Sequence, residues 1–407
     1  MRGYRRRRHR YCEMPESDSS ECALAREAVA SRGMRIALLG TRGIPANYGG
    51  FETFAEELSI RLVERGHDVT VYCRERNGHD SYRGVKLVYV PTIRHKYFDT
   101  LAHTCLSTFV ALPKRFDLVL FCNAANAIFT WLPRVCGSPT ALNVDGLERH
   151  RKKWNQLAKN WYLLSEWLST WCCSRVVTDA ARIQEYYFER YGKTSTFIPY
   201  GAETGKVPET ATVRSLGLEP GKYLLYVSRL EPENNALLVR QSFEKVKTDM
   251  KLALVGNAPY AADYIRQVKA TNDPRIVMPG AIYGDGYRQL QSHCAAYIHA
   301  TEVGGTHPAL IEAMGRAALV LYLTNPENDE VAADSGVPFE PHTLTERMQW
   351  AVETSEQERR HWGCLAQKRV GERYGWDAVT NVYERLFAEM AGQDVTREAA
   401  GSDTFPG

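Results

Sequence analysis

The segment that decides the fold is "MRIALLGTRGIPANYGGFETFAEELSIRLVERGHDVTVYC", residues 34–73. It begins and ends with short apolar runs rich in β-branched residues, which are typical of buried strands. Between them lies an apolar stripe at helical spacing, formed by Phe51, Phe54, Leu58 and Leu62, and the helix is expected to end at Gly66. A strand, a helix and another strand in this order indicate parallel α/β architecture.

The same alternation of strand-like and helical segments continues along the chain. Strands of a first sheet are predicted at "MRIALLG", "HDVTVYC", "VKLVYVP", "DLVLFCN", "TALNVDG" and "SRVVTD". Residues 196–222 are rich in glycine, proline and polar residues and mark a boundary. Strands of a second sheet follow at "YLLYVSR", "MKLALVG", "RIVMPG", "AYIHAT" and "LVLYLT". The sequence therefore predicts two Rossmann-like doubly wound domains that face each other across a ligand-binding cleft.

The length of 407 residues also favours two domains, since a single hydrophobic core rarely grows so large. The predicted division is a basic, disordered extension at 1–33, a first domain at 34–200, a second domain at 201–375, a terminal helix at 376–391 and a tail at 392–407. The terminal helix "WDAVTNVYERLFAEM" carries an apolar stripe of Val379, Val382, Tyr383 and Leu386. The extension is expected either to be disordered or to precede the true start at Met34.

Composition excludes several classes of protein. A net charge of +3 and the lack of nucleic-acid-reading motifs give no reason to expect a nucleic acid partner. The ten cysteines are scattered without C-x-x-C pairing, which favours a reduced, cytosolic compartment. No apolar run reaches the ~18 residues that a membrane span requires. The basic start "MRGYRRRRHR" is not followed by the apolar region of a secretory signal.

Gly49 and Gly50 stand where the first strand turns into the first helix. Glycines at such a turn let backbone amides approach a phosphate, and the positive end of the helix dipole adds attraction. A dinucleotide site is an alternative interpretation, but the pattern is not G-x-G-x-x-G, and Asp68 begins the second strand instead of following it. A plain turn without a ligand remains the other alternative.

The segment "EVGGTHPALIEAMG", residues 302–315, predicts the mouth of a helix in the second domain. Pro308 suits the first helical position, and Thr306 or His307 could cap the helix. The expected buried stripe consists of Leu310, Ala313, Met314 and Ala317. The amides of Gly304 and Gly305, together with the helix dipole, could hold an anion at this mouth.

Two further residues complete the predicted site. Glu312 lies one turn beyond Pro308, where a carboxylate can accept hydrogen bonds from sugar hydroxyls or merely complement the helix dipole. Arg229 follows the first strand of the second domain in "LLYVSRLEPENN" and can fork two phosphate oxygens, although a plain surface arginine would fit the spacing equally well. Together these elements predict a ligand with a diphosphate flanked by polyols, which is a nucleotide sugar.

From Met34 to about Met390 the chain resembles the retaining, GT-B-fold glycosyltransferases of family 4. The resemblance rests on "GGFETFAEELSIRLVERGHDVTVYC", on "EVGGTHPALIEAMG", which is similar to the donor-binding E-x7-E region, and on "YGWDAVTNVYERL", which resembles the terminal helix that crosses back to the first domain. More narrowly, "NVDGLERHRKKW", "FIPYGAE" and "SRLEPENN" resemble the branch that includes rhamnosyltransferases of bacterial surface polysaccharide assembly.

The resemblance implies roles for individual residues. Glu312 matches the glutamate that binds the donor ribose, and Arg229 matches the diphosphate-binding arginine. Glu302 resembles the glutamate expected near the transferred sugar, but here nine residues separate the two glutamates instead of seven. Backbone amides at Gly304 to Thr306 are the alternative occupants of that place. The usual lysine is absent, with Asn234 and Asn235 in its region, so the diphosphate would also depend on glycine amides or on Arg42.

Asp145 and Glu148, in "NVDGLE", are the candidates for orienting the acceptor or removing its proton, because a carboxylate near an acceptor hydroxyl can act as a general base. Relatives often carry a histidine in this region. The alternative is a turn-forming Asp-Gly pair and a glutamate that begins a helix. No acidic D-x-D cluster appears near the cleft, which agrees with the metal-independent chemistry that the resemblance implies, and no cofactor is expected.

Residues 149–171 interleave basic residues with tryptophans. The basic residues are Arg149, Arg151, Lys152, Lys153 and Lys159, and the tryptophans are Trp154, Trp161, Trp167 and Trp171. Such segments bind readily to anionic membrane surfaces, and a core helix with a solvated basic start is the alternative. A lipid-linked acceptor would favour the membrane interpretation.

These observations predict a cytosolic enzyme, peripheral to the inner face of the membrane, that transfers rhamnose or another hexose with retention. The donor would be a nucleoside diphosphate sugar, dTDP- or UDP-linked, and the acceptor a glycan or lipid-linked glycan of the cell surface. Two alternatives remain. A degenerate nucleotide-sugar-binding protein would explain the missing lysine and the stretched glutamate spacing. A nicotinamide-dependent oxidoreductase would use the first glycine turn but leaves Arg229 and Glu312 unexplained.

Overall fold

The computed structural model describes residues 33–46, 49–76, 78–93, 98–151, 154–258 and 261–393. The predicted extension, most of the tail, Lys152 and Lys153 lie outside these residues. The described chain forms two parallel sheets, each covered by helices on both faces. The first sheet comes from the first half of the chain and the second sheet from the second half.

The first sheet has the order β3-β4-β2-β1-β5-β6-β7-β8 and is parallel except for the β3–β4 pair. Its strands are β1 (Arg35–Leu39), β2 (Asp68–Cys73), β3 (Ser81–Tyr82), β4 (Val85–Tyr89), β5 (Leu118–Cys122), β6 (Thr140–Asn143), β7 (Arg175–Thr178) and β8 (Thr196–Phe197). Its helices are α1 (Gly50–Glu64), α2 (Asp99–Ala111), α3 (Trp131–Val135), α4 (Gln156–Cys172) and α5 (Ala181–Tyr191). The strand order reverses beside β1, which creates a crevice at the carboxyl ends of the strands.

The second sheet has the order β11-β10-β9-β12-β13-β14 and is parallel throughout. Its strands are β9 (Tyr223–Val227), β10 (Lys251–Val255), β11 (Ile276–Gly280), β12 (Ala296–His299), β13 (Val320–Leu323) and β14 (Val337–Phe339). The helices of this half are α6 (Ala211–Ser215), α7 (Ala236–Phe243), α8 (Ala262–Lys269), α9 (Gly284–His293), α10 (Pro308–Gly315), α11 (Pro326–Ala332), α12 (Leu344–Glu353), α13 (Glu356–Arg373) and α14 (Trp376–Met390).

Every apolar run that was predicted to be a strand forms one. The sequence did not reveal β3, β8 and β14, because segments of two or three residues are too short to show a period. Helix α1 follows the predicted stripe: Phe54, Leu58 and Leu62 are buried and Phe51 is half-buried. Gly66 follows the helix end with φ of 91°, a left-handed conformation that favours glycine.

Helix α14 begins and ends where the sequence predicted and packs against α1 of the first sheet. Its Glu384 accepts hydrogen bonds from Arg65, at 2.7 Å, and is 2.8 Å from the buried imidazole of His67. The hydroxyl of Tyr383 accepts a hydrogen bond from the side-chain amide of Asn143, at 3.1 Å. This last helix therefore ties the second half of the chain to the first.

Within the described residues, no helix is both long and apolar enough to cross a membrane.

Candidate functional site

Helix α10 begins at Pro308, as predicted, and His307 occupies the position before it. Neither predicted side-chain cap forms, because the hydroxyl of Thr306 donates to a backbone carbonyl elsewhere and His307 makes no capping hydrogen bond. One position of the predicted stripe is wrong. Ala317 lies beyond the helix end at Gly315, with φ of 55°, and is half-buried, whereas Leu310, Ala313 and Met314 are buried.

A loop of the first domain and the first residue of α1 lie against the mouth of α10. A Cβ atom on Gly146 would be 2.8 Å from the carbonyl carbon of Gly304, and one on Gly50 would be 2.8 Å from the Cγ of Pro308. Both approaches require that no side chain be present. The two domains therefore meet at this mouth, and the glycine turns of both sheets contribute to the contact.

Asp179, which directly follows β7, crosses the interface to the mouth. Its carboxylate accepts a hydrogen bond from the backbone N–H of Thr306, at 2.9 Å, and its carbonyl accepts one from the Thr306 hydroxyl. A Cβ on Gly305 would overlap this carboxylate. Burial raises the pKa of Asp179 well above its usual range, with nearby Asp145 adding to the effect. The carboxylate of Asp179 thus lies where the sequence predicted an external anion.

The sequence prediction omitted Asp179, although a signal was present. It closes the strand-like run "SRVVTD", and residues that follow parallel strands gather at the ligand-binding edge of the sheet.

Two arginines approach a buried carboxylate beside this mouth. Nη1 of Arg229 is 3.9 Å from Oε1 of Glu231, and Nη1 of Arg151 is 3.7 Å from Oε2 of the same residue. Glu231 is fully buried, and Arg151 also pairs through Nε with Oε1 of Glu148, at 2.5 Å. The carboxylate of Glu231, in the second domain, therefore lies between a guanidinium from each domain.

The two candidate bases have different surroundings. Glu148 is buried and is held by Arg151 and by the indole N–H of Trp154, at 3.1 Å. Asp145 is half-buried, with φ of 59°, and accepts a hydrogen bond from the Tyr200 hydroxyl, at 3.3 Å. Burial, and next the charge of Glu148, raises the pKa of Asp145. A carboxylate with a raised pKa is a better proton acceptor than an ordinary one, so Asp145 fits the role of a general base, whereas the carboxylate of Glu148 is engaged by Arg151 and Trp154.

His307 is a neutral group at the mouth. Its ring lies 4.7 Å from that of His299 between centroids, and burial lowers the pKa of His299 to about 3 and that of His307 well below its usual range. Within the described residues, Nε2 of His307 has no hydrogen-bond partner. His307 therefore contributes no positive charge to this mouth.

Glu312 is half-buried and turns toward helix α9. The hydroxyl of Tyr287 donates a hydrogen bond to its Oε2, at 2.7 Å. Burial raises the pKa of Glu312 to about 7, against the opposing effects of this hydrogen bond and of Arg316 and Arg288. Tyr287 was not predicted to belong to the site, because only the folded chain brings α9 beside α10.

The remaining predicted residues lie in the loops after β9 and β12 and near the start of α1. Glu302 is exposed and accepts a hydrogen bond from the side chain of Asn235, at 3.0 Å, so it points toward the loop after β9. Asn234 is buried, and its amide donates to the carbonyl of Arg229, at 2.6 Å, which shapes that loop. Gly49 precedes α1, and its carbonyl accepts the N–H of Thr53, while Arg42 is exposed.

Thus the structure brings Asp145, Glu148 and Gly50 of the first domain to the same interface as Arg229 and the Gly304–His307 loop of the second domain. Within the described residues, no group of three or more His, Cys, Asp or Glu side chains could hold a metal ion.

Comparisons with known proteins cover both domains. Residues 34–203 match a family described as "Domain of unknown function (DUF1972)", and residues 221–354 match "Glycosyl transferases group 1". The second match spans β9 to α12, including Arg229 and the mouth of α10. No curated protein sequence matches the chain significantly.

Solved structures resemble nearly the whole chain. Sucrose-phosphate synthase from Thermosynechococcus elongatus superposes with a TM-score of 0.71 at 18% identity, over 88% of this chain and 100% of that one. Anabaena HepE in complex with UDP-glucose gives 0.71 at 15% identity, with the same coverage. WaaG, a glycosyltransferase involved in lipopolysaccharide biosynthesis, gives 0.67 at 14% identity, over 88% of this chain and 100% of that one.

The fold is GT-B. The predicted fold class is thereby confirmed, and the second half of the chain contains a domain that matches glycosyl transferases group 1. The mouth of α10, Arg229 and Glu312 all belong to that domain.

Proposed function

We propose that this protein is a glycosyltransferase that moves a hexose or rhamnose from a nucleoside diphosphate sugar to a glycan or lipid-linked glycan, with retention. The observation that carries the proposal is the mouth of α10 at the domain interface. A backbone amide there binds a carboxylate, and an arginine lies close by, within a domain that matches glycosyl transferases group 1. Amides at a helix mouth and a nearby guanidinium are suited to a diphosphate.

Each part of the donor has a candidate partner. Arg229, the amides of Gly304 to Thr306 and the dipole of α10 would hold the diphosphate, while Glu312 would bind the ribose hydroxyls. The structural resemblance to HepE, which has been solved with UDP-glucose, supports a UDP-linked donor, and a dTDP-linked donor is the other candidate.

The same groups would also promote the reaction. The diphosphate gains negative charge as it leaves, so cations and amides aimed at it stabilise the transition state more than the bound donor. Asp145 would accept the proton of the acceptor hydroxyl. Contact between the domains through Gly146 and Gly304 would exclude water, which would otherwise hydrolyse the donor.

A membrane-bound acceptor is supported by an apolar surface on the first domain. Of the exposed large apolar side chains in the described residues, all but Tyr283 and Leu365 belong to this half of the chain. Helix α4 exposes apolar residues and buries polar ones. Its exposed residues Leu157, Leu164, Trp167 and Trp171 form a stripe at helical spacing, whereas polar residues such as Ser165 and Glu166 are buried. An apolar stripe directed outward is suited to a membrane surface.

Two of the five basic residues that the sequence placed at this surface point inward instead. Arg149 points inward to Glu166, at 3.0 Å, and Arg151 is buried. A cavity of about 670 Å³ is instead lined by Trp167 and Trp171 together with Arg134, Arg190 and Lys193. These cations could face anionic lipid headgroups at the inner face of the cell membrane, beside the site of cell-surface polysaccharide synthesis.

A thermal-shift panel of UDP, dTDP, GDP, ADP and NAD(P) tests the proposed function. One nucleoside diphosphate should raise the melting temperature, because a ligand that binds only the native state stabilises it. Its sugar conjugates should then release nucleotide, and Glu312→Ala should abolish that release. Stabilisation by NAD(P) alone would favour an oxidoreductase, while binding without release, even with membrane acceptors, would favour a degenerate binder.

A further inference from the structure

Arg151 is a cation of the first domain that reaches the second. It lies between the short 3₁₀ helix Glu148–His150 and α4, is nine-tenths buried, and approaches Glu231 in the loop after β9. Its charge also contributes to the lowered pKa of His307, at the mouth of α10. The guanidinium therefore lies at the domain interface, beside the candidate donor site and within reach of both domains.

Glu231 links Arg151 to the predicted diphosphate-binding residue. Each of its carboxylate oxygens faces one guanidinium, at 3.7 Å for Arg151 and 3.9 Å for Arg229. Direct charge-assisted hydrogen bonds are usually about 2.7–2.9 Å long, so both pairs are long. The buried carboxylate of Glu231 thus has a guanidinium of each domain within 3.9 Å, so both domains direct positive charge to this place.

The loop that follows β9 supplies a single cation to this place. In the sequence from Arg229 to Asn235, "RLEPENN", Arg229 is the only cationic residue. The amide of Asn234 donates to the carbonyl of Arg229, and that of Asn235 donates to the carbonyl of Ala300 and to Glu302. Both asparagines therefore support the loop and cannot neutralise a diphosphate.

We propose that Arg151 is a second diphosphate-binding residue, supplied to the donor site across the domain interface. On this proposal, which rests on the proposed function, the donor diphosphate binds between Arg151 and Arg229, and Glu231 pairs with both arginines when the donor is absent. Planar guanidinium groups bind phosphate oxygens in a forked geometry, so two arginines can match the two phosphates. Because one arginine comes from each domain, binding of the diphosphate would stabilise the contact between the two domains.

The test compares ligands that share a base but differ in phosphate. Isothermal titration would measure Kd for uridine, UMP and UDP, or for the corresponding series of whichever base stabilises the wild type, at one fixed ionic strength. Arg151→Met should weaken diphosphate binding by roughly tenfold or more, while nucleoside binding changes less than about twofold. Arg151→Lys keeps the positive charge but loses the forked guanidinium geometry, so its affinity for the diphosphate should lie between those of the wild type and Arg151→Met.

Arg149→Met provides a matched control. It breaks another ion pair of the same segment, that with Glu166, and the contacts of Arg149 with Glu166 and Tyr186 both lie within the first domain. Its ratio of nucleoside to diphosphate affinity should equal that of the wild type. Glu231→Gln should tighten diphosphate binding, because it removes the carboxylate that competes for both arginines.

The outcomes separate this inference from the proposed function. If the wild type binds no nucleoside diphosphate, the proposed function fails and this inference fails with it. If the wild type binds one, but neither Arg151→Met nor Arg151→Lys changes the affinity ratio, only the role of Arg151 is overturned. An equal loss of affinity for nucleoside and diphosphate would show that Arg151 has a structural role only.

Discussion

The carboxylate of Asp179 accepts the backbone N–H of Thr306, at 2.9 Å, across the interface between the two domains. The two residues are 127 positions apart in the chain, and the Thr306 hydroxyl donates back to the carbonyl of Asp179. The contact is buried and places a carboxylate at the mouth of α10. In the proposed reaction a donor phosphate would compete with Asp179 for this amide.

Asp179→Ala should destabilise the protein by about 1–3 kcal/mol, because it leaves a buried amide without its partner. Chemical denaturation monitored by circular dichroism would measure the free energy of unfolding. Asp334→Ala, at an exposed carboxylate, is the control and should change it by less than about 0.5 kcal/mol. Equal effects of the two substitutions would contradict a stabilising role of the Asp179 contact.

Gly146→Ala should weaken the association of the domains. The added Cβ would lie 2.8 Å from the carbonyl carbon of Gly304, so a backbone must move, at a cost of about 1–3 kcal/mol. Nucleotide release should fall while the secondary structure persists. Gly371→Ala is the matched control, because its Cβ would meet no atom within 4 Å and alanine favours a helix interior. Full activity of Gly146→Ala would show that this close contact is not needed for the reaction.

Glu312 should make stability depend on pH. Burial raises its pKa from 4.5 to about 7, so between these values the native state holds a proton that the unfolded state has lost. Stability from this group is therefore fully present below about pH 4.5 and declines as pH rises toward 7, by at most about 1.4 kcal/mol per pH unit. Urea unfolding of the wild type and Glu312→Gln from pH 4 to 8 would measure the difference.

Tyr287→Phe refines this test. The Tyr287 hydrogen bond lowers the pKa of Glu312, so its removal should extend the decline to higher pH, while the decline still begins near pH 4.5. A difference between wild type and Glu312→Gln that does not vary with pH would contradict the raised pKa.

Glu384→Gln should loosen α14 from the first domain. The substitution removes the charge that pairs with Arg65 and His67, and the His67 side chain is almost fully buried. The expected loss of stability is about 1–3 kcal/mol. Hydrogen exchange should show faster exchange in α14 than in the wild type. Glu389→Gln, at an exposed position of the same helix, should leave the exchange rates unchanged.

The double substitution Trp167→Ala and Trp171→Ala should reduce binding to vesicles that contain about 30% anionic lipid. Both indoles are exposed, Trp171 at 68% and Trp167 at 49%, and their rings lie 6.5 Å apart between centroids. Cosedimentation with vesicles would measure the bound fraction. Tyr283→Ala, at an exposed aromatic residue of the second domain, should bind as the wild type does. Failure of the wild type to bind these vesicles would contradict the membrane contact.

The sequence by itself determined the fold class and the positions of most elements. Apolar runs with β-branched residues predicted the longer strands, because burial on both faces of a parallel sheet requires such residues. Pro308 marked the first residue of α10, since proline lacks the N–H that a first turn cannot use. The polar residues at the carboxyl ends of the strands, including Asp145 and Arg229, indicated the region of the site.

Only the tertiary structure decided which charges meet at that site. Asp179 binds the amide of Thr306, and Arg151 meets Glu231, through contacts between residues that are far apart in the chain. No periodicity or local propensity encodes such pairs, because they depend on how two separately formed sheets are placed against each other. Likewise, the inward turn of Arg149 and the outward stripe of α4 follow from the packing of that helix on its domain. Local interactions thus specified the elements, while the long-range packing of the two domains specified the chemistry between them.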